Sequence, residues 1–248
     1  MAFYGDLFRV QGRMGTSLTV ADLTPQQQEL AEALAAEWIR RAAERAPLEE
    51  DRDEAYRQLR AGDTEAQGWR AMGRPFINGL ARLRWFAPTG MALAERFVDR
   101  ALSQVTRYLD EEAVREEVQQ RIAAHLGPET VAVIGHSLGS VAAFQAASRL
   151  QHDLPLLLTL GSPLGLRTLV YDRLTEAAEV PSRVQRWVNL SDRDDLVAAV
   201  PDLASLFADS AGVLESHWTL DNGSMPHRAE WYLTTRESGA AVAAAFSG

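Results

Sequence analysis

Two hydrophobic rhythms divide this chain. Before about residue 126, apolar positions recur at three- and four-residue spacing. From residue 130, short apolar-rich stretches alternate with helix-length segments. Residues 2–8 read as a short strand with its exit, and 9–23 as polar loop. Thr24, Pro25 and Gln27 make a capping-box pattern with proline at the first helical position. The helix it opens runs to about residue 46, with Leu30, Leu34 and Trp38 on one stripe and Pro47 as its stop. Residues 50–62 and 65–73 are polar and read as short helices and loops. Apolar positions 76, 77, 80, 83 and 86 predict a helix, and 90–108 predict an amphipathic one. Asp110 is placed as the cap of the next, in which Val114, Val118, Ile122 and Leu126 recur every four residues before Gly127-Pro128. The acids at 110–112 then belong to that cap and not to a metal site.

Candidate strands follow at 130–134, 155–160, 184–190 and about 213–220, and a last helix at 238–246. Near-continuous apolar strands between helices imply a parallel sheet covered on both faces. The expected organisation is one domain over 1–248. In it, 24–126 is a helical insertion or lid and 127–248 a catalytic core.

Composition narrows the chemistry. A chain of 248 residues with 46% hydrophobic residues can bury a real core. A net charge of −9 disfavours generic nucleic-acid binding. All 25 basic residues are arginine. With no cysteine, disulfides, thiolate metal sites and a cysteine nucleophile are excluded. The first residues lack a signal-peptide pattern, and no run reaches the length of a membrane span, so the expectation is a soluble cytoplasmic protein without an integral membrane segment.

The densest signal is Gly135-His136-Ser137-Leu138-Gly139, between the run 130–134 and the small-residue segment 140–147. Strand, sharp turn and helix with serine at the apex is the pattern of a nucleophile elbow, where glycines relieve the crowding of a strained turn. A serine hydroxyl is a weak nucleophile and needs a base, itself oriented by an acid. In elbow architectures the acid and then the base follow in later loops. Asp192, Asp194 and Asp195 are the acid candidates after the third strand. Asp195 is favoured because the loop turns back into apolar Leu196-Val197 beside it. Of five histidines, His217 and His227 follow the acid. His227 stands in a loop past the last strand and is favoured as base. His125 fits a helix C-terminus, and His152 a polar loop.

From about residue 105 the chain resembles a bacterial lipase-like α/β-hydrolase. The matching pieces are the segment 135–142, Thr159-Leu160-Gly161-Ser162-Pro163-Leu164, Trp187-Val188-Asn189 with its Asp-rich exit, and Pro226-His227-Arg228. The resemblance implies an α/β-hydrolase-like, mostly parallel sheet with a large helical insertion before the elbow. It implies Ser137 as nucleophile, Asp195 as orienter and His227 as general base. The Leu138 N–H would be an oxyanion donor, and His136, Ser162 and Leu164 would line the substrate site. The reaction implied is cleavage of an ester or related acyl bond in a small-molecule or lipid substrate, with no metal and no organic cofactor. Transfer of the acyl group to an alcohol or amine shares the same acyl-enzyme.

The match fails at the front. Such hydrolases carry an earlier strand ending in a His-Gly turn that supplies a second oxyanion N–H, and none precedes Ser137 here. Three readings stay open: a start at an internal methionine, a sheet closed up with a substitute donor, and a degenerate scaffold that binds without turnover.

Overall fold

The computed structural model of the chain describes residues 1–9, 18–46, 48–65, 91–166, 173, 179–198, 200, 202–207, 212–223 and 225–247. The expected helix at 76–86 and most of the segment 65–73 lie outside them. The chain divides into two compact units, Gly5–Glu111 and Met1–Tyr4 with Glu112–Gly248.

The first unit is helical. Helix α1 spans Pro25–Arg45, and its cap forms as the sequence predicts: Gln27 N donates to Thr24 Oγ1 and Thr24 N to Gln27 Oε1, at 3.3 and 3.1 Å. Leu30, Leu34 and Trp38 are buried. Helices α2 (Glu49–Glu65) and α3 (Met91–Asp110) follow. Three expectations are corrected. Residues 50–62, read as short helices and loops, belong to the single 17-residue helix α2. Residues 5–8 form a single 3-10 turn and not a strand; Gly5-Asp6 folds back locally, with Arg9 N donating to Asp6 O. Asp110 caps no helix, being the last residue of α3, and α4 begins two residues on, at Glu112. The acid beside it, Glu111, is held by Arg107 Nε at 2.6 Å and by Gln27 Nε2 at 3.0 Å, which keeps its carboxyl below the usual range.

The second unit carries the sheet. Helix α4 (Glu112–Ala123) buries Val118 and Ile122, and ends before Leu126. It groups with the sheet and not with the preceding helices. Four strands follow: β1 (Ala132–His136), β2 (Leu156–Leu160), β3 (Trp187–Asp192) and β4 (Leu214–Leu220). They lie in the order β1-β2-β3-β4, every pair parallel. Helices α5 (Leu138–Ser148), α6 (Ala229–Leu233) and α7 (Arg236–Ala245) complete the unit.

Alternation along the strands sorts side chains to two faces. On one, Leu156, Leu158, Leu160, Val188 and Leu190 pack with Tyr232 of α6 and Ala241 of α7. On the other, Trp187 packs against Phe144 of α5 and edge-to-face against Phe207, at ring separations of 5.3 and 4.8 Å. Helices thus cover both faces of a parallel sheet, which is an α/β fold. Strands β2 and β3 are buried throughout. Among the described residues nothing pairs with the outer side of β1, whose Ile134 is 45% exposed. Among the described residues no helix is long and apolar enough to cross a membrane.

Candidate active site

Parallel register brings three strand exits to one end of the sheet. His136 pairs with Leu160, and Leu160 with Leu190. The ladder runs one residue further at each step: Ser137 N donates to Leu160 O at 3.0 Å, and Gly161 N to Leu190 O at 2.9 Å. Ser137, Gly161 and the loop after Asp192 therefore lie side by side at the carboxyl ends of their strands, where sites of open α/β sheets gather.

Ser137 is the sole non-glycine residue with positive φ among those described, at φ 54 and ψ −129. Such a backbone costs of order 1–3 kcal/mol and persists only where the surroundings enforce it. They do so here. A Cβ on Gly135 would stand 2.3 Å from Gly139 O, so the chain turns this tightly only with glycine there. A Cβ on Gly139 would meet the Tyr4 hydroxyl at 3.0 Å. The turn is also strutted from beneath. Leu164 N donates to Ser162 Oγ at 3.2 Å, the Ser162 and Ser140 hydroxyls are 2.7 Å apart, and Ser140 Oγ lies 2.6 Å from Ser137 O. With one hydrogen on each hydroxyl and a carbonyl that only accepts, Ser140 donates to Ser137 O and Ser162 to Ser140.

Asp195 and His227 come together across 32 residues. His227 Nδ1 lies 2.9 Å from Asp195 Oδ1 and 2.8 Å from Oδ2, with the carboxylate fully buried and the imidazole 11% exposed. Val197 N donates to Asp195 Oδ1 at 2.9 Å, and the Tyr232 hydroxyl to Oδ2 at 2.7 Å. Burial would push the Asp195 carboxyl up. The facing His227 imidazole, its hydrogen bond and the Tyr232 hydroxyl outweigh burial and hold it below the ordinary carboxylate range. An imidazole whose Nδ1–H is anchored on a buried carboxylate has Nε2 as its proton-accepting nitrogen.

His136 ties the serine turn to this pair. Its Nε2 donates to His227 O at 2.8 Å, and the two rings lie 4.6 Å apart. Burial, joined by repulsion from a charged His227, pushes the His136 imidazole down to about 4. Gly161 supplies the space. Its φ is +52, and a Cβ there would stand 2.6 Å from Asp195 Oδ2 and 3.1 Å from His227 Nδ1.

The other residues singled out from the sequence fall elsewhere. Asp192 is buried, with Oδ1 accepting from Asp194 N at 2.7 Å and Oδ2 from Asn222 N, so it fixes the loop; burial raises its carboxyl. Asp194 faces Arg193 at 3.7 Å. His217 lies within β4 beside Glu215, and His125 is exposed after α4. Leu138 opens α5, so its N–H belongs to the first turn, which has no intrahelical acceptor. Ser162 and Leu164 are at most 1% exposed, and the Ser162 hydroxyl is engaged in the strut. In this conformation they support the turn and offer no surface to a ligand. Sequence reasoning misses Tyr232, which nothing in the segment 231–233 distinguishes from an ordinary core aromatic. Among the described residues no group of three His, Asp or Glu is placed to hold a metal. Comparisons with protein-family models, curated proteins and solved structures found no match.

Proposed function

We propose that the chain is a serine hydrolase that cleaves a carboxylic ester or related acyl bond on an α/β-hydrolase-like core. The observation that carries this reading is the positive-φ backbone of Ser137 on the glycine-relieved turn between β1 and α5, at the same sheet end as the His227–Asp195 pair. Strain held on a serine at the mouth of a parallel sheet is the mark of a side chain presented for attack.

In the proposed mechanism Ser137 Oγ attacks the carbonyl carbon while His227 Nε2 takes the hydroxyl proton. Asp195 keeps the ring in the Nδ1–H tautomer and stabilises the imidazolium. The developing oxyanion faces the Leu138 N–H at the positive end of α5. His227 returns the proton to the leaving oxygen, so an alcohol departs and an acyl-serine remains. Water, deprotonated by the same imidazole, then releases the acid. The chemistry calls on no metal or organic cofactor.

A second reading, a scaffold that binds acyl compounds with little turnover, is favoured by the open outer side of β1 among the described residues. Turnover separates the two. Short-chain p-nitrophenyl esters are expected to be hydrolysed by the wild type. Ser137→Ala and His227→Asn are expected to lose at least about 10³-fold in kcat/KM. A folded wild type that hydrolyses none of a C2–C12 ester series sinks the enzyme reading and leaves the scaffold.

A further inference from the structure

The segment 227–232 grips one carboxylate at two points. His227 Nδ1 holds Asp195 from one end of the segment, and five residues later the Tyr232 hydroxyl donates to Asp195 Oδ2 at 2.7 Å. The phenol is also fixed from behind, because Asp192 N donates to its oxygen at 2.8 Å. One hydroxyl thus links the Asp192 backbone N–H to the Asp195 carboxylate at the β3 exit. Its ring is fully buried among Leu158, Leu160, Val188 and Leu190. Its carbonyl accepts from Ser238 Oγ at 2.7 Å and Thr235 Oγ1 at 2.8 Å. Tyr232 is therefore a fixed post whose polar tip meets the carboxylate.

We infer that Tyr232 is a positioning residue: its hydroxyl sets both the place and the acceptor strength of Asp195, and so the basicity of the imidazole that Asp195 orients. This rests on the hydrolase reading for its catalytic consequence, but the Tyr232–Asp195–His227 coupling is physical and can be read without turnover. A carboxylate that shares its charge with a second donor is a weaker acceptor toward the first. The hydroxyl stays a donor throughout the working range, because burial and the adjacent Asp195 charge push its ionisation up. The titratable groups around it are Asp195 and Asp192 at the β3 exit, His227, which shares Asp195 Oδ2 with it, and His136, whose ring lies 6.1 Å from the phenol ring.

The test compares wild type, Tyr232→Phe and protein carrying 2,3-difluorotyrosine at 232. The last keeps shape and contacts while making the hydroxyl a stronger donor. Proton NMR reads the His227 Nδ1–H resonance, and p-nitrophenyl ester hydrolysis reads kcat per site titrated with a fluorophosphonate. The Phe variant is expected to move the resonance downfield and to lower kcat per titrated site about tenfold, the scale of one hydrogen bond to a charged group, with KM within about twofold. The fluorinated protein is expected to move the resonance upfield. A resonance unmoved by fluorination overturns the inference, even if the Phe variant is poorly folded. A wild type without turnover whose resonance moves in both directions removes the hydrolase reading and keeps the coupling.

Discussion

His136 gives the fold a calculable sensitivity to acid. Its Nε2 donates to His227 O, so the neutral ring is held in the Nε2–H tautomer. Burial, with the charge of His227, lowers it from 6.5 to about 4. A folded-state value below the unfolded one means that the unfolded chain binds the proton first as pH falls. The stabilisation is complete above about pH 6.5 and is lost as pH drops through the interval down to about 4. The linkage relation with these two values gives a loss of about 2 kcal/mol at pH 5 relative to pH 7.5. His136→Gln removes the titration while an amide N–H can still reach the His227 carbonyl. Native-state hydrogen exchange at the Leu158 and Leu160 amides isolates the sheet unit. Between pH 7.5 and 5.0 the wild type is expected to lose about 2 kcal/mol more opening free energy than the variant. Parallel losses, within about 0.5 kcal/mol, would refute a buried neutral His136.

Two further substitutions probe the supports of the site. Gly161→Ala forces a Cβ into Asp195 Oδ2 at 2.6 Å on a backbone with φ +52. It is expected to cost at least about 1–2 kcal/mol in urea unfolding and to displace the carboxylate, lowering ester turnover; a neutral variant with full activity would contradict the packing described. Ser162→Ala breaks the hydroxyl relay and leaves the buried Leu164 N–H without its acceptor. It is expected to cost about 1–3 kcal/mol by urea titration, and a change under about 0.5 kcal/mol would show the strut to be dispensable.

The parts legible in the sequence are those set by local pattern. Each of the four candidate strands overlaps a strand; the uninterrupted run Leu156-Leu157-Leu158 lies in one that is buried throughout, whereas most of β4 is not buried. Boundaries shift by two or three residues: β1 runs on through Gly135 and His136 to the glycine turn, and β3 starts at Trp187 and not at residue 184. Residues 2–8 read as a strand by composition, but a strand needs a partner, and the local bond from Arg9 N to Asp6 O forms instead. Asp110 reads as a cap because acids follow it, but it is the last residue of α3.

At the site, the return to apolar structure at Leu196 points to Asp195. The structure joins that residue to His227 and gives Asp192 to the backbone N–H groups of 194 and 222. Long-range placement was not legible. Serine and leucine at 162 and 164 resemble site lining, and only the fold shows them buried beneath the turn. The Tyr232 contact joins positions 37 residues apart, and no spacing rule reaches that far.

The hydrolase reading stands or falls with Ser137 as an activated nucleophile. Its most direct test is intact-protein mass spectrometry after exposure to a fluorophosphonate, with peptide mapping, on wild type and Ser137→Ala. One phosphonyl adduct per chain is expected, mapped to Ser137 and absent from the variant. A folded wild type that stays unmodified, or an adduct on another residue that persists in Ser137→Ala, would contradict it.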